Sequence, residues 1–340
     1  MQAELAVAGS VKAYCARIGA DALLVQGAGG NASWKTPDTL WVKASGTWLA
    51  DALTKEIFVP VDLRHLRQAI EAQRFDEVPQ VQGASTLRPS IETMLHALLP
   101  HKVVLHAHAV ELLVHLVQAD AKAVLQQVLG DRVRWVYIDY FKPGADLATA
   151  VFQQIKHVPD VEVVFLKNHG AVIGGDDVES VDRILRLLIS ALQTAVPVEI
   201  TQPHGRRCAA VLSTLGYEAC GDDSLNQLAL AESLCRRLRT EWALVPDHVV
   251  FLGPMARVLE PSASLNEMRK VVNEGAPFIF VEGDGVYQKP DVTSAQLAQL
   301  RCYYDVLIRL SEHVRLCTLS AEEIADLLDW DAEKYRQKNA

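Results

Sequence analysis

Lys102-Val103-Val104-Leu105-His106-Ala107-His108-Ala109 reads as a strand that runs into chemistry. Side chains alternate between the two faces of a strand, so His106 and His108 project the same way. Two imidazoles on one face form a bite for a borderline divalent ion such as zinc. A catalytic site adds a third protein ligand and keeps one position open. His169, in Lys167-Asn168-His169-Gly170, follows another apolar strand at 161–166 and can supply it. Alone, a His-x-His pair is about as often two satisfied core histidines.

Outward from that strand, the chain reads as mixed α/β without strict alternation. Residues 3–18 look like an opening helix, 22–26 like a short apolar run before a Gly-rich turn, and Leu40–Ala44 like a strand. Residues 76–89 read as loop. Ile91–Leu99 starts a helix with Ser90 as its N-cap. Helical spacing returns over Val110–Gln127, and 133–138 is a further strand. Val178, Val181, Ile184, Leu185, Leu188 and Leu192 mark an amphipathic helix over 177–195. Pro197, Pro203 and Gly205 suggest a boundary near 196–224, giving an N-terminal domain over 1–200 and a smaller α/β extension over 201–340. Within the extension we expect helix 224–239, strand His248–Leu252, helix 264–273, strand Phe278–Val281, a turn, and helices 293–315 and 320–328.

Two further clusters bear on function. Gly27-Ala28-Gly29-Gly30-Asn31-Ala32-Ser33 superficially fits a dinucleotide fingerprint. That fingerprint needs a helix directly after it, whereas Trp34-Lys35-Thr36-Pro37-Asp38 and a new strand follow, which excludes a Rossmann phosphate site. The glycines can still present backbone N–H groups to an anion, helped by Asn31 and Ser33 and by a second turn, Ala44-Ser45-Gly46-Thr47. The bland alternative is an ordinary glycine turn. In Arg88-Pro89-Ser90-Ile91-Glu92, an acidic residue suits a helix's first turn for dipole reasons alone. Beside a metal-bound substrate, the same carboxylate can move a proton. His96, one turn on, reads as structural.

Composition narrows the partners. The chain has 340 residues and a formal charge of −9, against a nucleic-acid backbone as main partner. The six cysteines are widely spaced without a CxxC pair, as for free thiols in a reducing compartment. The first residues, MQAELAVAGS, lack the pattern of a signal peptide, and no apolar run is long and clean enough to span a bilayer. The expectation is a cytoplasmic, soluble protein.

GGNAS, KASG, RPSIETMLHALLP, HAHAV and FLKNHGAVIGG, in that order and spacing over roughly residues 3–195, resemble the class II aldolase/adducin family. The wording is most similar to the aldolase part of bifunctional rhamnulose-1-phosphate aldolase/dehydrogenase proteins. PDHVVFLGP, FIFVEGDGVYQ and WDAEKYRQ extend that likeness, and the expectation is the aldolase part without the reductase domain. The resemblance implies a class II aldolase-like α/β/α sandwich with a mainly antiparallel central sheet. It implies that His106, His108 and His169 hold a divalent metal, normally Zn2+, and that Glu92 is the acid/base residue. Gly30, Asn31, Ser33, Ser45, Gly46 and Ser90 map to substrate- and phosphate-binding loops. A neighbouring subunit's tyrosine often donates a proton in this family, which makes Tyr140 the candidate here and Tyr137 its competitor. Homo-oligomers, commonly tetramers, are implied.

The implied activity is carbohydrate metabolism: retro-aldol cleavage of a keto sugar or sugar phosphate through a metal-stabilised enediolate. Short sugar-phosphate aldolases often carry two serines before the glutamate. Ile91 replaces the second here, which leaves the phosphate requirement open. The alternatives are a sugar-phosphate 4-epimerase or a keto-acid decarboxylase on the same scaffold. From another class comes a non-catalytic adducin-like interaction module, which would lack the metal site. The residues 201–340 suggest no mechanism of their own.

Overall fold

A computed structural model describes residues 2–196 and 206–340. Pro197, Pro203 and Gly205, read as boundary signals, lie outside them. The chain forms two compact units. One comprises residues up to Leu116, Asp120–Gln193 and Asp329–Ala340; the other comprises Val117–Ala119 and Thr194–Leu328.

The first unit is built on the strand that carries the histidines. Strands β1 (Asn31–Lys35), β2 (Thr39–Lys43), β3 (Phe58–Asp62), β4 (Val103–Ala107), β5 (Trp135–Ile138), β6 (Val163–Leu166) and β7 (Gly170–Gly175) form one seven-stranded sheet, ordered β3-β2-β1-β4-β7-β6-β5. Every pairing is antiparallel except β5 with β6. β4 is central, hydrogen-bonded to β1 on one side and β7 on the other.

Alternation along β4 divides the core. Val103, Leu105 and Ala107 enter a cluster with Val11, Cys15 and Ile18 of the opening helix Gln2–Gly19 and with Val181, Leu185 and Leu188 of the helix Val178–Leu192. Val104 enters the opposite cluster, with Leu95 and Leu99 near the helix Thr93–Leu98 and with Leu147 and Val151 of the helix Ala145–Ile155. Each fully buried leucine contributes roughly 1.5–3 kcal/mol, so both faces of the sheet must be covered. Helices on both faces make the expected α/β/α sandwich.

Several elements differ from expectation. The apolar run 22–26 turns at 22–24 and forms no strand, and Asn31–Ser33 belong to β1 rather than to the glycine turn. A strand still follows the glycines, as the exclusion of a Rossmann site required. The helical stretch 110–127 is two helices, Val110–Leu116 and Ala121–Leu129. Between them, Val117–Ala119 pair with Arg315–Cys317, and the helix expected to reach 315 ends at Leu307.

In the second unit, 224–239 is two helices, Asp223–Leu230 and Glu232–Thr240. His248–Leu252 is no strand: Pro246–Leu252 is a helix with proline in its first turn. All seven of its residues are buried, and a short run buried on every side carries no period to tell helix from strand. A four-stranded sheet contains the hairpin of β10 (Phe278–Val281) and β11 (Gly285–Gln288), flanked by β8 (Glu218–Ala219) and β9 (Val258–Leu259). No helix of the described residues is long and apolar enough to cross a membrane.

Candidate metal centre

His106 lies on the same face of β4 as Val104, toward the helix Thr93–Leu98, and pairs across the ladder with Asn31 of β1 and Val172 of β7. His108 follows just past the strand. His169 closes the tight β6–β7 hairpin, in which Leu166 opposes Gly170 and Asn168 takes a left-handed φ of 52°. Asparagine tolerates that conformation better than most residues.

The three imidazoles converge. Their ligand-capable nitrogens all lie within 4.8 Å of one another, and all three residues are buried. The Nε2 atoms of His106 and His108 stand 2.9 Å apart. His106 Nδ1 is 3.2 Å from the Ala171 carbonyl oxygen. With that nitrogen donating, Nε2 is left as a bare lone pair, the arrangement that metal-binding histidines share. Gly170 makes the convergence possible. A Cβ there would stand 2.6 Å from the Ala107 carbonyl oxygen and 2.9 Å from His108 Cδ2. Gly30, at φ 59°, lets the glycine turn approach the His106 carbonyl oxygen, which a Cβ would meet at 2.8 Å.

Glu92 completes the group. It stands at the N-cap of the helix Thr93–Leu98, one position ahead of the first turn where the sequence reading placed it. Ser90 Oγ accepts its backbone N–H at 3.2 Å. Its Oε2 lies 3.5 Å from His106 Nε2, and its Oε1 lies 3.4 Å from His169 Nε2. Asn31 Nδ2 donates to Oε2 at 2.8 Å. Burial opposes ionisation of this carboxyl, but His106, His169 and the Asn31 hydrogen bond outweigh it and hold the pKa at about 2. A buried carboxylate facing three imidazoles is a donor set that a divalent cation fits, because the ion supplies the compensating charge.

The remaining expected residues fall into place unevenly. Ser33 is fully buried, and its Oγ bonds His96 Nδ1 at 2.8 Å, so that hydroxyl is engaged inside the fold. His96 also bonds Asn31 Oδ1, in the structural role anticipated for it. Ser45 is buried with its N–H on the Arg88 carbonyl oxygen, and Gly46 has φ 80°. Tyr137 packs with the cluster on the sheet face opposite His106. Tyr140 is half-buried beyond β5.

Lys43 had no role assigned. It is buried, with Nζ 3.2 Å from the Ala28 carbonyl oxygen, tying the glycine turn to β2. The available signal was its place directly before Ala44-Ser45-Gly46. Gln26 was also missed; its Nε2 donates to the His108 carbonyl oxygen at 3.3 Å.

Residues 11–196 match the domain family described as Class II Aldolase and Adducin N-terminal domain. The uncharacterized oxidoreductase YuxG of Bacillus subtilis is 30% identical over 179 residues, which cover 48% of this chain and 26% of that protein. The alignment thus spans about a quarter of the relative's length. Among solved structures, the N-terminal class II aldolase domain of a conserved protein from Thermoplasma acidophilum is 28% identical; the match covers 54% of this chain and 90% of that one, with a TM-score of 0.44. An L-fuculose-1-phosphate aldolase from Thermus thermophilus is 19% identical over 57% of this chain and 93% of its own, with a TM-score of 0.39.

Proposed function

Since the chain belongs to the class II aldolase and adducin family, we propose that it is a divalent metal-dependent lyase that cleaves a carbon–carbon bond of a keto sugar or sugar phosphate by retro-aldol chemistry. The observation that carries this reading is the convergence of His106, His108 and His169 on one buried point with Glu92 beside them. A non-catalytic interaction module would have no use for that arrangement, which is costly to bury.

In this reading the three histidines hold the ion, and zinc suits three imidazoles with one position open. When bound, a divalent ion supplies Lewis acidity at the substrate's carbonyl and adjacent hydroxyl oxygens. On cleavage the substrate hydroxyl gives up its proton as its oxygen becomes the aldehyde, and the Glu92 carboxylate passes on to the nucleophilic carbon the proton so released; on condensation it removes that proton again. Asn31 fixes the carboxylate by its hydrogen bond, and Ser90 fixes the Glu92 backbone. Ser33 acts through His96 rather than on the ligand. Tyr140 is the proposed donor to the aldehyde oxygen. Gly30, Ser45, Gly46 and Ser90 are the proposed substrate loops. We place the protein in the cytoplasm as a homo-oligomer.

The test is metal content of the purified chain beside a His106→Ala/His108→Ala variant, followed by a screen of keto-sugar phosphates and sugar acids. About one ion per chain, lost in the variant, and aldehyde release from one of the substrates are expected. A metal-free chain with no thermal shift on adding zinc or manganese would sink the reading.

A further inference from the structure

The last twelve residues return to the first unit and seat against its loops. The helix Asp331–Asn339 has three anchor points there. The first is Gly144, at φ 100°, where a Cβ would stand 3.3 Å from the Trp330 ring and 4.0 Å from the Ile91 carbonyl oxygen. Lys142 Nζ lies 4.9 Å from the centre of the same indole. The second is Arg88, whose guanidinium carbon lies 4.2 Å from the centre of the Tyr335 ring. The third is Gly46, where a Cβ would stand 2.8 Å from Asn339 Cβ and 3.3 Å from the Arg336 carbonyl oxygen. Glu333 and Arg336 are buried on the underside and paired at 2.7 Å. Burying an ion pair in a terminal helix is expensive unless the seat is specific.

Two features beneath this helix remain without a ligand. Ser45 Oγ is buried, its residue 8% exposed, and no described group bonds it. Arg88 is exposed, and no described carboxylate or carbonyl oxygen pairs with its guanidinium. The two are cross-strand neighbours: Ala44 opposes Pro89, and Ser45 N–H donates to the Arg88 carbonyl oxygen at 2.9 Å. Directly opposed residues of an antiparallel pair project to the same side. A guanidinium held over an aromatic ring by its carbon keeps N–H groups for a second partner, and its fork matches the oxygens of phosphate or carboxylate.

We propose that Tyr335 positions Arg88 so that Arg88 and Ser45 receive the oxyanion end of the substrate, with the C-terminal helix as a built wall of the site. The inference rests on reading Ser45 and Gly46 as a substrate loop. Tyr335 is a positioning residue here: its ring, not its hydroxyl, does the work.

The test titrates inorganic phosphate and acetate into the full chain, as wild type, Arg88→Gln, Tyr335→Ala and Tyr335→Phe, with metal content measured on the same preparations. Arg88→Gln and Tyr335→Ala are each expected to weaken anion binding about tenfold, while Tyr335→Phe stays near wild type. Binding of phosphate alone supports a phosphate-ester end, and binding of acetate alone supports a carboxylate end. No binding of either anion by wild type, or unchanged binding in Arg88→Gln, overturns the proposal. Metal present with Arg88-independent anion binding leaves the lyase reading standing without it. Metal absent with Arg88-dependent binding does the reverse.

Discussion

Asn31 Nδ2 donates to Glu92 Oε2 at 2.8 Å, while Asn31 Oδ1 is bonded to His96. One amide therefore orients both the proposed proton carrier and a buried histidine. This fixes which end of the Asn31 amide faces Glu92, and it holds the carboxylate in its ionised form beside the imidazoles.

Glu92→Gln keeps the shape of that contact and removes the charge. We expect the variant to retain its metal and lose roughly 10²–10⁴-fold in kcat, the range general acid–base catalysis supplies. Asn31→Ala should cost less, because the carboxylate remains but is no longer fixed. Metal analysis and steady-state kinetics decide. Full turnover by Glu92→Gln would remove Glu92 from the reaction.

The site was legible in sequence where local geometry alone sets it. His106 and His108 share a face because strands alternate, and the apolar residues around them left no doubt about the strand. The sheet order was not legible, since nothing local says that β1 pairs with β4 and so brings Asn31 opposite His106. Nor was the fate of Ser33: read as a turn residue it was free to bind phosphate, but as the third residue of β1 it faces His96. The helix Pro246–Leu252 was misread because a run buried on every side shows no period. The return of Trp330–Asn339 to the first unit depends on Gly144 and Gly46 leaving room, a relation between residues far apart in sequence.

His96 predicts an acid-sensitive fold. Burial drives its pKa down to about 3, and the nearby Glu92 charge only partly opposes the shift. The unfolded chain has an ordinary histidine near 6.5. Between those values the unfolded state binds more protons, so stability falls as pH falls from about 6.5 toward 3. The full loss is on the order of a few kcal/mol. Urea midpoints between pH 6.5 and 5 read the effect together with that of His101, whose pKa burial also lowers, while Glu92 titrates lower. His96→Gln, which can still bond Ser33, should flatten that slope; an unaltered slope would mean His96 is not its source.

Lys35 acts in the alkaline direction. Burial, with a smaller push from Arg67, lowers its pKa to about 7. Its ammonium donates to the Leu99 carbonyl oxygen. The unfolded lysine keeps its proton to about 10.4, so above pH 7 the unfolded state binds more protons and stability rises with pH. From pH 7 to 9 the gain should be on the order of 2 kcal/mol. Above pH 9 the buried thiols of Cys15 and Cys235, with raised pKa values, work against it. Lys35→Met should lose the rise between pH 7 and 9 in denaturant titrations.

Gly170→Ala tests whether the histidines converge for a metal or merely pack. The new methyl would press on the Ala107 carbonyl oxygen, on His108 Cδ2 and, at 3.2 Å, on His106 Cε1. Backbone cannot yield there, since Ala107 and Ala171 are paired across β4 and β7. The rings must turn instead. Overpacking of this kind costs roughly 1–3 kcal/mol of stability. If the rings hold an ion, metal affinity should fall more steeply than stability, because a small rotation misaims both Nε2 lone pairs. Gly221→Ala, with open space around its added methyl, serves as the control. Equilibrium dialysis with zinc beside a thermal melt separates the cases. A variant with lowered melting temperature and wild-type zinc affinity would point to packing, and the metal assignment would fall with it.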